Sequence, residues 1–162
     1  MELQARGFIP AIQYMRTDAE RRNQRISWAR SDRAFFASGA CHVLAFRLVH
    51  RHPDGQFRVV LIRPHEERPG SHAYATDGVW AFDFNGWTLE STLLTESADE
   101  CRRRWPSWDF DRIEVEVDHD LDHFCRRWGH RPPTDFAFDV VKRADRFIDF
   151  FAREPPELRQ FS

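Results

Sequence analysis

The spacing of apolar residues along the chain predicts amphipathic helices interrupted by short strands. Residues 41–50 are apolar on nearly every side, which predicts a helix that is buried all round. Residues 57–63 form a short apolar run with β-branched side chains, typical of a central strand, and residues 112–117 alternate like a strand. Apolar residues at helical spacing predict further helices at about 10–22, 28–36, 92–105, 121–128 and 134–151.

Two more strands flank Asp77-Gly78, a dipeptide that suits a tight two-residue turn. They read SHAYAT before the turn and VWAFDF after it, and together they predict a β-hairpin. A two-residue turn places His72 directly opposite Asp83 on one side of the sheet, with their Cβ atoms roughly 5 Å apart. A slip of one residue in the pairing would put these two side chains on opposite faces.

The order of helices and strands predicts an α+β fold in a single domain over residues 1–162. We expect its core at about residues 37–117 and its C-terminal helices at about 120–153. The composition agrees, since 41% of the residues are apolar and 14% are aromatic. A chain of 162 residues is also long enough to bury a sizeable core.

Charge and targeting patterns narrow the function classes. The net charge of -2 argues against a general nucleic-acid-binding protein, which would be strongly basic. The chain shows no apolar run of membrane-spanning length, no secretory signal pattern and no glycine-rich nucleotide-binding motif. Three cysteines without CxxC spacing fit a reducing compartment, so we expect a cytoplasmic location, with signal-independent export as an effector left open.

Cys41 differs from the other two cysteines in its surroundings. Cys101 and Cys125 lie in apolar stripes of predicted helices, where a cysteine behaves as a small hydrophobic residue. Cys41 instead follows the small residues Ser38-Gly39-Ala40 and begins the buried helix. The free N–H groups and dipole of a first helical turn lower the pKa of a thiol, so Cys41 is the predicted nucleophile. The small residues before it leave room for a substrate and form the predicted oxyanion and substrate cleft.

A thiol nucleophile needs a base, and the base needs an orienting group. His42 is a poor base by this argument, because adjacent residues on a helix point in different directions. His72 opposite Asp83 supplies both roles, although an ordinary cross-strand ion pair, worth at most about 1 kcal/mol, explains the same pattern. Trp87 is either a shield that keeps water from this pair or an ordinary core tryptophan.

A cysteine that opens a buried helix, followed by a histidine and an aspartate on neighbouring antiparallel strands, resembles the papain-like superfamily. That superfamily includes transglutaminase-like enzymes, NlpC-type amidases and bacterial deamidase effectors, and the likeness is to its small bacterial and phage members. The words SGACHVLAF, SHAYAT and GVWAFDFNGW carry the resemblance, over about residues 37–87. It implies a papain-like core, in which the helix carrying the cysteine packs on a small antiparallel sheet flanked by helices, and a Cys41-His72-Asp83 triad.

One departure from the papain-like pattern concerns the oxyanion hole. Many papain-like proteases place a glutamine several residues before the cysteine, and here that span reads RAFFAS. The Cys41 backbone N–H, with Ser38, would have to hold the oxyanion instead. This puts a protease in more doubt than acyl-transfer chemistry as such.

The resulting prediction is a thiol-dependent acyl-transfer enzyme that acts on a protein or peptide amide, without a cofactor and without a nucleic-acid or membrane partner. Hydrolysis, deamidation and transamidation share the same first half, and the sequence leaves them open together with the oligomeric state. One alternative is a non-catalytic relative that binds a partner protein. Another is a metal site at His119 and His123, spaced i, i+4 on a predicted helix but without an identified third ligand.

Overall fold

The structure is a computed structural model that describes residues 7–116 and 120–156. Within these residues it confirms the predicted α+β class, with seven α-helices and one five-stranded antiparallel sheet. The strands are β1 (Arg58–Pro64), β2 (His72–Thr76), β3 (Trp80–Asp83), β4 (Gly86–Leu89) and β5 (Phe110–Glu114). The helices are α1 (Asp18–Arg22), α2 (Gln24–Trp28), α3 (Asp32–Ala37), α4 (Cys41–His50), α5 (Glu90–Arg104), α6 (Leu121–Trp128) and α7 (Val140–Ile148), with short 3-10 helices at Ala11–Tyr14, His65–Glu67 and Pro133–Asp135.

The sheet has the strand order β4-β3-β2-β1-β5, so β2 is its middle strand. β1, predicted as a central strand, is an interior strand with β2 on one side and β5 on the other. Side chains alternate between the two faces, and helices cover both. On one face α4 packs across β2 and covers Ala75 and Phe82, and α7 packs against α4. On the other face α5 and the N-terminal 3-10 helix cover Tyr74 and Ala81. The helix that carries Cys41 is therefore enclosed between the sheet and α7.

Helix α4 has the predicted bounds and is largely buried, although its C-terminal residue His50 is exposed. It begins at Cys41 and ends at His50, and six of its ten residues are buried. Arg47 near its C-terminal end makes two hydrogen bonds of 3.1 Å to the Asp145 carboxylate on α7. This ion pair ties α4 to α7 and holds the cysteine-bearing helix in place.

The predicted helix at residues 10–22 is wrong in its bounds, because a capping box interrupts it. The 3-10 helix Ala11–Tyr14 comes first, and α1 begins only after Thr17. The Thr17 hydroxyl accepts the Glu20 backbone N–H, while the Glu20 carboxylate accepts the Thr17 backbone N–H. This reciprocal pair requires an extended Thr17, so the chain changes direction there.

Two other predicted helices begin later than apolar spacing indicates. Ser31 accepts a backbone N–H from the first turn of α3, so the predicted helix 28–36 is divided between α2 and α3. Asp139 caps α7 in the same manner, so this helix begins at Val140 and not at residue 134, where the predicted helix starts. In both cases a side-chain acceptor, and not the first apolar residue, decides where the helix begins.

The hairpin between β2 and β3 forms, but its register differs from the prediction. Thr76 pairs with Ala81, two positions beyond the predicted partner, because the connection is longer than Asp77-Gly78 alone. The Asp77 carboxylate accepts two backbone N–H groups from the residues after the turn, which closes the wider loop. A shift of two residues leaves every side chain on its predicted face, so His72 and Asp83 still share one side of the sheet.

Gly86 begins β4 with φ +81°, and a methyl group there would lie 2.5 Å from Cε1 of Phe151. We expect Gly86→Ala to lower the free energy of unfolding by about 2 kcal/mol, of which about half comes from the left-handed backbone. Gly55→Ala is the matched control, because Gly55 has φ +79° and open space around it. Urea unfolding of both variants measures the difference, and an equal loss in both would mean that the Phe151 ring gives way freely.

Candidate active site

Three chain segments meet at one end of the sheet and bring the predicted triad together. β2 begins at His72 and β3 ends at Asp83, so antiparallel pairing puts both residues at the same end. α4 begins at Cys41 above that end, and the Ala73 backbone N–H lies 3.4 Å from the Cys41 Sγ. All three predicted catalytic residues are buried, with exposed fractions of 6% for Cys41 and 2% for both His72 and Asp83.

The His72–Asp83 pair has the geometry of a base and its orienting group. His72 Nε2 lies 3.0 Å from Asp83 Oδ2. Because a carboxylate oxygen only accepts, this contact assigns the proton to Nε2 and leaves Nδ1 as the basic nitrogen. Nδ1 is shielded from solvent and makes no strict hydrogen bond to a described residue, yet the imidazole lies close enough to the Cys41 thiol to lower its pKa.

Asp83 is held by Asn85, a residue that the sequence argument missed. The Asn85 backbone N–H donates to Asp83 Oδ1 at 2.7 Å, and the Asn85 side-chain amide lies 3.4 Å from Oδ2. That amide also pairs with both backbone groups of Ile9 at 3.1 Å. Phe84 places its ring edge-on to the His72 imidazole, with 5.8 Å between centroids. The N-terminal segment and Phe84 therefore fix the orientation of the pair and exclude water from it.

His42 is a second imidazole at the Cys41 thiol, contrary to the argument from adjacent helical positions. It is 1% exposed, and its Nε2 donates to the Arg131 carbonyl at 2.7 Å, so its basic nitrogen is also Nδ1. Like His72, His42 lies close enough to the Cys41 thiol to lower its pKa. In a first helical turn side chains lean back past the helix start, so neighbours there reach a common space.

The charges of the site balance one another. Burial raises the pKa of Cys41, but the neighbouring His42 and His72 imidazoles outweigh it, so the net shift is well downward. Burial lowers the pKa of His72, but Asp83 and the thiolate outweigh it and raise that pKa to about 10. The pKa of His42 is likewise raised against burial, by Cys125 and Cys41. The site thus favours two buried anions facing two imidazolium ions.

Ser38 and Gly39 line a cavity of about 610 Å³ that Cys41 also lines. Gly39 has φ +106°, a left-handed conformation that suits glycine. Ala40 is the N-cap of α4 and offers no side-chain acceptor, so no capping side chain occupies the first-turn N–H groups. Unlike Ser38 and Gly39, Ala40 is fully buried in the core and does not line the cavity. The Cys41 backbone N–H is therefore the group best placed to bind an oxyanion.

The structure does not bring Trp87 to this cavity. Its indole N–H donates to the Ala152 carbonyl at 2.8 Å, and its ring packs against Phe57 and Phe82. Of the two roles offered by the sequence, the core tryptophan agrees with these contacts. Phe84 occupies the shielding position beside His72 instead.

The remaining predicted features lie apart from the triad or outside the described residues. Cys101 and Cys125 are buried, and burial raises the pKa of Cys101 to about 11. His119, half of the alternative metal pair, is outside the described residues, while His123 lies on α6. Within residues 7–116 and 120–156, no three His, Cys, Asp or Glu side chains are grouped to hold a metal ion. Over the same residues, every helix is too short or too polar to cross a membrane.

Comparison with known proteins adds no family to this geometry. No protein-family model matches the chain, and no curated protein or solved structure matches it either. The papain-like resemblance therefore stays a prediction carried by the residues of the site.

Proposed function

We propose that this protein is a thiol-dependent acyl-transfer enzyme in which Cys41 is the nucleophile, His72 the general base and acid, and Asp83 the orienting group. One observation carries the proposal. A thiol with a lowered pKa lies at the start of a buried helix, beside a buried His–Asp pair, and borders an open cavity. A core cysteine has no use for any of these three features, whereas a nucleophile needs all of them.

The chemistry follows from the positions of the protons. The Cys41 thiolate attacks the carbonyl carbon of an amide, the S–C bond forms, and the C=O π electrons move to oxygen, where the Cys41 N–H stabilises them. The His72 Nδ1–H then gives its proton to the departing nitrogen as the C–N bond breaks, which leaves a thioester. Water or a second amine attacks the thioester, His72 takes its proton, and the thiolate leaves.

The test is direct detection of the acyl-enzyme. We expect p-nitrophenyl acetate to transfer one acetyl group to Cys41, seen by peptide mass spectrometry, with a burst of p-nitrophenol equal to the enzyme concentration. Cys41→Ala should abolish both signals, a loss of at least about a thousandfold in rate. Cys101→Ser is the matched control, since Cys101 packs in the cluster on the other face of the sheet.

Two results would overturn the proposal. In one, native Cys41 is acetylated no faster than the cysteines of the urea-unfolded chain. In the other, His72→Ala folds normally and is acetylated at the wild-type rate. Either result would leave the His72–Asp83 contact as a structural ion pair and favour the partner-binding alternative.

A further inference from the structure

Arg16, which carries a guanidinium group, lines the same cavity as Cys41. Its Nε and Nη1 atoms are shielded from solvent and have no hydrogen-bond partner among the described residues. The group lies against Gly39, where a methyl group would be 3.1 Å from Arg16 Nη1. Buried polar groups are nearly always paired, and an unpaired buried cationic donor is costly. An oxygen acceptor bound in the cavity would therefore satisfy the unpaired guanidinium of Arg16.

Further positive charge lies around Arg16. Arg131 also lines the cavity, and among the residues that the structure describes its guanidinium bonds only the neutral Gln24 side chain, at 3.0 Å, while lying over the Phe136 ring. Burial lowers the pKa of Arg16, and the charges of Arg131, Arg21 and Arg30 lower it further. Among the described residues that line the cavity, one carboxylate, that of Asp135, opposes these cations.

We propose that Arg16 and Arg131 form an anion subsite beside the nucleophile, and that the acyl substrate carries a carboxylate close to the carbonyl that Cys41 attacks. This inference rests on the proposed acyl-transfer function and names its substrate class. A carboxylate is acceptor-only and pairs with guanidinium through charge-assisted hydrogen bonds, which matches the unpaired donors of Arg16. The carboxylate comes either from the free C-terminus of a peptide or from an acidic side chain.

Iodoacetate and iodoacetamide test the subsite without any acyl transfer. Both let the thiolate sulfur form a bond to a CH2 carbon as iodide leaves, and they differ in that iodoacetate bears a carboxylate. We expect Cys41 to favour iodoacetate, and Arg16→Met to lower the ratio of the two rates about 10- to 100-fold, as for a lost hydrogen bond to a charged group. Arg22→Met, on the exposed face of α1, is the matched control, and Arg16→Lys should retain part of the preference.

Protection of Cys41 from iodoacetamide then identifies the source of the carboxylate. N-acetylglycine offers a C-terminal carboxylate, and N-acetylglutamic acid α-amide offers only a side-chain carboxylate. Protection by either compound, lost in Arg16→Met, supports the subsite and names its source. Protection by neither compound overturns it, as does a rate ratio that Arg16→Met leaves unchanged.

The outcomes separate the subsite from the catalytic proposal. If Cys41 forms an acetyl-enzyme but shows no charge preference, the acyl-transfer function stands and the anion subsite is wrong. If Cys41 resists both alkylating agents and forms no acetyl-enzyme, the acyl-transfer function is wrong and the substrate class falls with it.

Discussion

Replacing both His42 and His72 by alanine is expected to slow the alkylation of Cys41 by iodoacetamide at pH 6 about a hundredfold. Only the thiolate reacts, and a thiol with the ordinary pKa of about 8.5 is less than about 1% ionised at that pH. In the native site burial raises the pKa of Cys41, but the two imidazoles outweigh it and lower that pKa well below its ordinary value. The thiolate therefore persists as the pH falls below 7 in the wild type, whereas in the double variant burial is unopposed and Cys41 should react only above about pH 8.5.

The single variants divide this effect between the two imidazoles. Each should lose part of the hundredfold, because both His42 and His72 lower the pKa of the thiol. Arg16 and His130 also face the thiol, and they remain in every variant. His50→Ala, at the exposed end of the same helix, is the control and should not move the pH profile. A wild-type profile centred near 8.5, or a folded double variant with an unchanged profile, would contradict the thiolate.

The contact between His72 and Asp83 was predictable from sequence even though the turn between their strands was not. Alternation along a strand has a period of two, so it assigns each side chain to a face without fixing the partner. The Asp77 carboxylate widens the turn by capping two later N–H groups, and the register moves by two positions. The sequence therefore predicts which face of the sheet each side chain lies on, while the pairing register of β2 and β3 depends on the Asp77 side chain inside the turn.

Arg16 and Asn85 reach the site through contacts that local spacing does not encode. Arg16 lies between a 3-10 helix and α1, in a segment where apolar spacing predicts one continuous helix. The Asn85 amide orients Asp83 only because Ile9, distant in the chain, pairs with it. Local patterns can place the nucleophile and its base on their elements, but the residues that orient and charge the cavity come from long-range packing.

Asp83→Asn is expected to lower the rate of acyl-enzyme formation about 10³- to 10⁴-fold while the protein stays folded. In the wild type the Asn85 backbone N–H lies 2.7 Å from Asp83 Oδ1, so it requires an acceptor at that position. An asparagine that meets this demand turns its NH2 group toward His72 Nε2, which must then accept instead of donate. The proton moves to Nδ1, and the basic lone pair no longer faces Cys41. The burst with p-nitrophenyl acetate measures the loss.

Stability distinguishes this tautomer effect from the loss of a buried ion pair. Asp83→Ala leaves the His72 imidazole and the Asn85 N–H without a partner in the interior, and we expect it to lower the free energy of unfolding by about 3–5 kcal/mol. Asp83→Asn keeps the volume and one acceptor, so its cost should stay below about 1.5 kcal/mol. Asp111→Asn is the matched control, because Asp111 pairs with His65 at 2.9 Å on the exposed surface. It should change neither the burst nor the urea midpoint appreciably. If Asp83→Asn keeps the wild-type burst, the buried pair stabilises the fold without orienting a base, and the triad loses its third member.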